Sequence, residues 1–286
     1  MRKPGQRRDT RHPVRKFLTL IVEWLDARFG SEEIQIAPYI VSSGKLPSEF
    51  DGYKIVQITD LHDRWFGQEQ GPLLQAVKDC QPDEIVLTGD LIRDVYGEEE
   101  QRRIRPLIKE LLGIASVHAV EGNHESRSED DEAIVDDLRQ LGVEVLRNQV
   151  TELGRGGARI ALLGLQASTD NPLKVQTSLE TELVEKGKSL RQKSVAEYAI
   201  LLAHCPEKIE SYSQMDVDLV LSGHVHGGLV RLPGGRALLA PGQGWLPRYH
   251  YGMYRRGNTL MQVSSGLGGP RIGIPPEIVC ITLKKE

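Results

Sequence analysis

Apolar runs of about five residues recur along the chain, and each ends in polar residues. "KIVQI" leads into Thr59-Asp60-Leu61-His62, and "EIVL" into Thr88-Gly89-Asp90. "ASVHAV" leads into Glu121-Gly122-Asn123-His124, "AILLA" into His204, and "DLVLS" into Gly223-His224-Val225-His226. Short apolar runs bounded by turn residues predict buried strands. Between the first of them lie segments with apolar residues at helical spacing: "GPLLQAVKDCQP", "EEEQRRIRPLIKELLG" and "SEDDEAIVDDLRQLG". The second should bend or restart at Pro106. The third has Ser128 as its expected N-cap, an acidic first turn and Gly142 to close it. Strand and helix alternating in this way predict a parallel sheet covered by helices, with ligands bound at the carboxyl ends of the strands.

The second half is richer in strands. "VEVLRN", "QVTEL" and "ARIALLGLQ" follow one another, the last two joined by a "GRGG" turn. Residues 178–195 read as a helix, and Pro206 opens another after His204. "LVRLP", "RALLA", "TLMQVSSGLG" and "EIVCITLKK" read as closing strands. Two sheets face to face with helices outside would accommodate this number of elements. The 286 residues fit one large α/β domain, because no low-complexity linker interrupts the middle.

Composition narrows the function. The chain is 39% hydrophobic and 27% charged with a net charge of −4, so no nucleic-acid partner is expected. Cys80, Cys205 and Cys280 are widely spaced and form no metal-ribbon or disulfide pattern, which fits a reducing, cytoplasmic setting. The start differs from the rest: residues 1–16 hold seven Lys and Arg against one Asp. Phe17, Ile21, Trp24, Leu25 and Phe29 then share one helical face, although the apolar run is too short to span a bilayer. Residues 1–32 are therefore read as a basic arm with an amphipathic helix, and residues 33–286 as the folded domain. Residues 1–29 either rest on an anionic inner membrane face or dock on the domain.

The polar ends of the apolar runs make a set when taken together. Asp60, His62, Asp90, Asn123, His204, His224 and His226 are all imidazole, carboxylate or amide donors, with His124 beside them. Any one of these is unremarkable alone, since a lone Gly-Asp is usually a turn and a lone His usually structural. Such donors suit Mn2+, Fe2+ or Zn2+. Seven donors are too many for one tetrahedral ion but enough for two ions sharing a carboxylate. Paired ions ~3.5–4 Å apart hydrolyse phosphate esters by polarising the phosphoryl group and generating hydroxide near neutral pH.

In order, "ITDLHD", "LTGDL", "EGNHE", "LAHCP" and "SGHVHGG" resemble the five blocks of the calcineurin-like metallophosphoesterases. The bacterial YaeI- and YkuE-like phosphodiesterase branch is the most similar, over roughly residues 33 to 284. The resemblance implies a four-layer α/β/β/α sandwich of two mixed sheets. It also implies roles: Asp60, His62 and His226 on one divalent ion, Asn123, His204 and His224 on the other, and Asp90 between them. His124 would be the catalytic non-ligand histidine that protonates the leaving group. Three departures stand out. Asp63 replaces a frequent glycine, Leu229 a frequent polar residue at the rim, and "GDLIRDVYG" lacks the spacing of protein phosphatases, leaving Asp94 without a role.

The expected activity is hydrolysis of a phosphodiester or pyrophosphate by attack of metal-bound hydroxide. The substrate could be lipid-linked, a nucleotide-activated lipid precursor included, with the protein cytoplasmic and peripheral at the inner membrane face. The rival reading is a non-catalytic scaffold of the same fold, which the full set of ligand positions disfavours. Arg64, Arg127, Arg248 and His250 are candidate substrate contacts, as is Arg271. Trp245, Tyr249, His250 and Tyr251 form either one wall of a substrate groove or a loop packed across the sheet edge.

Overall fold

The computed structural model describes residues 32–93, 96–167, 176–232, 236–269 and 271–286, with the side chains of residues 176–179 outside the description. The basic arm and amphipathic helix read at 1–29, and Asp94, lie outside the described residues. Fourteen strands are described in chain order. They are β1 (Gln35–Ser43), β2 (Lys54–Ile58), β3 (Glu84–Leu87), β4 (Ser116–Ala119), β5 (Glu144–Val145), β6 (Gln149–Arg155), β7 (Ala158–Leu165), β8 (Ala199–Ala203), β9 (Leu219–Ser222), β10 (Leu239–Ala240), β11 (Gly244–Trp245), β12 (Gly252–Arg256), β13 (Thr259–Val263) and β14 (Glu277–Lys285). The α-helices are α1 (Gly71–Cys80), α2 (Glu98–Leu112), α3 (Asp131–Leu141), α4 (Gln176–Arg191) and α5 (Ile209–Tyr212).

Two six-stranded mixed sheets result, ordered β1-β14-β2-β3-β4-β5 and β12-β13-β9-β8-β7-β6. Strands β2 to β5 run parallel, as do β7, β8, β9 and β13. The inner strands β2, β3, β8 and β9 are buried on both faces, and alternate residues serve different layers. Ile55 and Val86 meet Ile200, Leu202, Leu219 and Leu221 between the sheets. Their neighbours Val56, Ile58, Ile85 and Leu87 pack on Leu73 and Val77 of α1, Ile108 of α2 and Ile134 of α3. On the other side Ala199, Leu201 and Val220 pack on Val184 of α4 and Ile209 of α5. The architecture is the expected four-layer α/β/β/α sandwich.

Some local expectations are corrected. Helix α2 runs unbroken through Pro106. Pro106 and Arg102 are both exposed, so the carbonyl deprived of its amide partner sits on the water side. Helix α3 starts at Asp131 with Asp130 as its cap residue, while Ser128 closes a preceding 3-10 turn and accepts the Asp130 N–H at 3.1 Å. Helix α4 ends at Arg191 rather than 195, where the guanidinium donates to the carbonyls of Ser194, Ala196 and Asp216 at 2.7–3.1 Å. "LVRLP" and "RALLA" give only β10 and isolated bridges such as Leu229 to Leu239. Three strands were not foreseen: β1, interrupted in pattern by Pro38, and β11 and β12, inside the aromatic and basic stretch.

Candidate metal centre

The chemistry-bearing residues all follow strands at the same end of the sandwich. Asp60 and His62 follow β2, Asp90 follows β3, and Asn123 and His124 follow β4. From the second sheet, His204 follows β8, and His224 and His226 follow β9. To turn back over the strand ends, five of these adopt the left-handed region: Asp60 (φ 51°), His62 (48°), Asp90 (53°), His224 (73°) and His226 (49°). Such backbone costs about 1–3 kcal/mol per non-glycine residue and persists where the surroundings impose it.

Two groups form. The ligating atoms of Asp60, His62 and His226 lie within 4.8 Å of one another, as do those of Asp90, His204 and His224. Asp90 stands between the groups: Oδ2 is 3.1 Å from His204 Nε2 and 3.7 Å from His62 Nε2. Its Oδ1 accepts the His124 backbone N–H at 2.9 Å. Asp60 Oδ2 accepts the Thr59 hydroxyl at 3.0 Å and the His224 N–H at 2.9 Å, and its Oδ1 is 3.7 Å from His62 Nε2.

Electrostatics differ among these groups. Burial pushes Asp60 up to about 6, helped by the nearby Asp90 charge. Burial works the same way on Asp90 but loses to the His204 and His62 imidazoles, which hold its carboxyl well below the usual range. Burial, with neighbouring positive charge, holds His62 and His224 at about 3 and His226 well below the usual imidazole range, so all three are neutral. His204 is the exception: burial disfavours its charge, yet Asp90 outweighs that and raises it to about 10. Its Nδ1–H donates to the Thr88 carbonyl at 2.7 Å, which aims Nε2 at the centre.

Among the described residues, several buried polar atoms have no hydrogen-bond partner: both ring nitrogens of His62, Nδ1 of His226 and Oδ1 of Asn123. Each such atom costs ~1–3 kcal/mol when left alone. Neutral imidazoles, carboxylates and an amide oxygen converging on one volume fit divalent cations. His124 is placed differently. It is half-buried, its ring centroid is 4.9 Å from that of His62, and its Nδ1–H donates to the Arg93 carbonyl.

Residues 53–228 match the calcineurin-like phosphoesterase family model. The chain belongs to that family. It is 29% identical to the uncharacterized metallophosphoesterase YkuE of Bacillus subtilis, over 88% of this chain and 86% of that protein. It is 26% identical to an uncharacterized metallophosphoesterase of Aquifex aeolicus, over 88% of this chain and 92% of that one. A transmembrane protein with metallophosphoesterase domain from Danio rerio is 28% identical over 94% of this chain, which spans only 62% of that longer relative. The protein is thus a metal-dependent hydrolase of phosphoric esters.

Other features of this calcineurin-like chain were missed or misread in the sequence. Glu125, the last residue of "EGNHE", is buried and accepts four backbone N–H groups: Asp90 at 2.9 Å, Leu91 at 2.6 Å, Ile92 at 3.1 Å and Gly122 at 3.0 Å. It staples the Asp90 loop to the Asn123–His124 loop. Gly122 is needed for their approach, since a Cβ there would lie 2.0 Å from Asp90 Oδ1. Asp63 takes φ 59°, which Asp tolerates better than most residues, and accepts the Arg93 N–H at 3.2 Å. It thereby fixes the residue whose carbonyl holds His124. Leu229 is buried, so it does not alter the rim.

The candidate substrate contacts separate. Arg271 is buried and donates to the carbonyls of Gly266 at 2.8 Å and of Gly268. That loop in turn donates to the carbonyls of Thr59 and Asp60, so Arg271 braces the centre rather than offering a loop cation. Arg64 is half-buried over the Phe66 ring, and Arg248 is exposed over Tyr249. Arg127 is exposed in the turn after His124, and its charge contributes to depressing His224. His250 is half-buried beside Gly228 and donates its backbone N–H to the Tyr254 hydroxyl at 3.0 Å. In the aromatic stretch, Tyr249 packs on Tyr254 and the outer core, whereas Trp245 is 65% exposed. One stretch therefore supplies both a packed loop and an outward aromatic.

Proposed function

We propose that the centre holds two divalent cations and that the protein is a phosphodiesterase acting on a phosphodiester or pyrophosphate. The observation that carries this is Asp90, whose single oxygen lies 3.1 Å from His204 and 3.7 Å from His62, the two sides of the constellation. Asp60, His62 and His226 would hold one ion, and Asn123, His204 and His224 the other, with Asp90 shared. The donor set suits Mn2+, Fe2+ or Zn2+. When bound, such ions polarise the phosphoryl oxygens and make water a nucleophile near neutral pH.

The chain's own residues supply the remainder. A carbonyl can only accept, so Arg93 fixes His124 as the Nδ1–H tautomer and leaves Nε2 to carry the exchanging proton. Once Nε2 has taken up a proton from solvent, the doubly protonated ring would give it to the leaving oxygen and return to the Nδ1–H tautomer. Arg127 is the candidate substrate contact supported by proximity to the centre. A lipid-linked ester, a nucleotide-lipid pyrophosphate included, suits a basic amphipathic start at a cytoplasmic membrane face, and one relative is itself a transmembrane protein.

The test is a screen of protein loaded in turn with Mn2+, Fe2+ and Zn2+ against p-nitrophenyl phosphate, bis-p-nitrophenyl phosphate and a nucleotide-lipid pyrophosphate in vesicles. The diester or pyrophosphate should be turned over with the highest kcat/KM. Exclusive monoester hydrolysis would overturn the phosphodiesterase reading, and no hydrolysis with any ion would favour the scaffold.

A further inference from the structure

A second kind of donor group borders the centre. Cys205, Glu207 and His224 each offer a ligating atom, and these lie within 4.8 Å of one another. The group is built into the fold. Cys205 follows the candidate ligand His204, and Pro206–Lys208 form a 3-10 turn that brings Glu207 back alongside. The Tyr212 hydroxyl donates to the Cys205 carbonyl at 2.9 Å and anchors that turn. From the other side Gly242, at φ 72°, presses on the carboxylate: a Cβ there would sit 2.7 Å from Glu207 Oε1. Cys205 is buried, while Glu207 and His224 are half-buried, so an ion has access.

The chemistry differs from that of the pair. A thiolate, a carboxylate and an imidazole with one open position make a zinc-type donor set, and sulfur disfavours Mn2+. Donors of a tetrahedral zinc ion, at ~2.0–2.3 Å from the metal, are separated by less than the 4.8 Å limit found here. The side chains would close on the ion by rotation. Cys205 would give up its thiol proton to solvent, Glu207 would bind ionised, and His224 through a lone pair.

We propose that Cys205, Glu207 and His224 form a separate site for a thiophilic divalent ion such as Zn2+ or Cd2+, which competes with the catalytic pair for His224. A neutral imidazole has one lone pair, so His224 serves one ion at a time. Excess zinc would therefore inhibit by removing a ligand from the pair. This last consequence rests on the two-ion reading above; the site itself does not.

The full chain, freed of metal, is titrated with Cd2+ while near-ultraviolet sulfur-to-metal absorption is followed. The wild type and the Cys80→Ser/Cys280→Ser variant should develop the band, and Cys205→Ser should not. Cys205→Ala serves as a second variant should serine unfold this buried position. Glu207→Gln should weaken Cd2+ binding ~10-fold or more. A band that survives in both Cys205 variants, or that is absent from the wild type, overturns the site. In a second readout, the Zn2+ concentration that half-inhibits Mn2+-loaded enzyme should rise ~10-fold in Cys205→Ala. Unchanged zinc inhibition overturns the competition for His224. The absorption experiment needs no turnover, so a failure of the phosphodiesterase reading is separable from a failure of this one.

Discussion

Replacing Glu125 by glutamine changes one oxygen to an amide nitrogen and leaves the shape intact. Oε1 accepts from Leu91 and Ile92, and Oε2 from Asp90 and Gly122. Whichever end becomes the amide NH2, two buried backbone donors then face another donor. Each lost pairing costs ~1–3 kcal/mol, so the substitution should destabilise the protein by about 2–6 kcal/mol. Relief of repulsion between Glu125 and Asp90 offsets part of this; burial, reinforced by that repulsion, already pushes the Glu125 carboxyl up to about 7. The assay is urea unfolding of metal-free protein, in which the midpoint should fall at an unchanged slope. Metal affinity should fall as well, because the staple sets the distance between Asp90 and Asn123. Even ~1 Å of misplacement can cost ~10²-fold in rate. A variant with a midpoint and a metal affinity equal to the wild type would refute the staple.

Asp90→Asn removes the anionic oxygen that we propose the two ions share, and should leave fewer than two ions per chain by metal analysis; two tightly held ions would refute the bridge. His124→Ala should keep its metal but lose ~10²–10⁴-fold in kcat on an ester with a poor leaving group, and an unchanged kcat would rule out the proton-donor role. Gly223→Ala would place a Cβ 2.2 Å from Thr59 Oγ1 and 2.3 Å from Asp60 Oδ2, so calorimetric titration should show weakened metal binding. Unaltered binding would mean that the Asp60 loop yields freely. His118 lies in β4 between Glu84 at 2.8 Å and Glu144 at 3.2 Å. Burial opposes its charge, but these carboxylates win and raise its pKa above 6.5. Its contribution is complete below pH 6.5 and lost as pH rises through the folded value, so His118→Gln should destabilise more in acid than in alkali. A pH-independent difference in unfolding free energy would contradict this.

The cluster of Asp, Asn and His side chains at one end of the sandwich was legible because each of its parts is a local signal. An apolar strand followed at once by Asp, Asn or His can be read in under ten residues, and the parallel strands deliver every such end to one edge of the sandwich. The four layers were legible for the same reason, since strands buried on both faces read as continuous apolar runs. The supports were not. Glu125 reaches amides 33 to 35 residues away, and nothing local distinguishes it from a solvated turn glutamate. Strand β1 pairs with β14 across almost the whole chain, so its sequence carries no sign of its partner.

Arg271 shows why loop chemistry resists this kind of reading. In sequence it is one of several arginines among glycines and prolines, a fair candidate for a phosphate. In the fold its guanidinium turns inward to the carbonyls of Gly266 and Gly268, and the next donors in that loop reach Thr59 and Asp60. Five N–H donors in a fixed fork suit carbonyls as well as phosphate oxygens. The choice is made by burial, which depends on the whole sandwich and on no neighbouring residue. The same reasoning ranks the remaining arginines. Arg248 already covers an aromatic ring, and Arg64 lies over Phe66. Arg127 is exposed in the turn after His124, and its charge contributes to depressing His224.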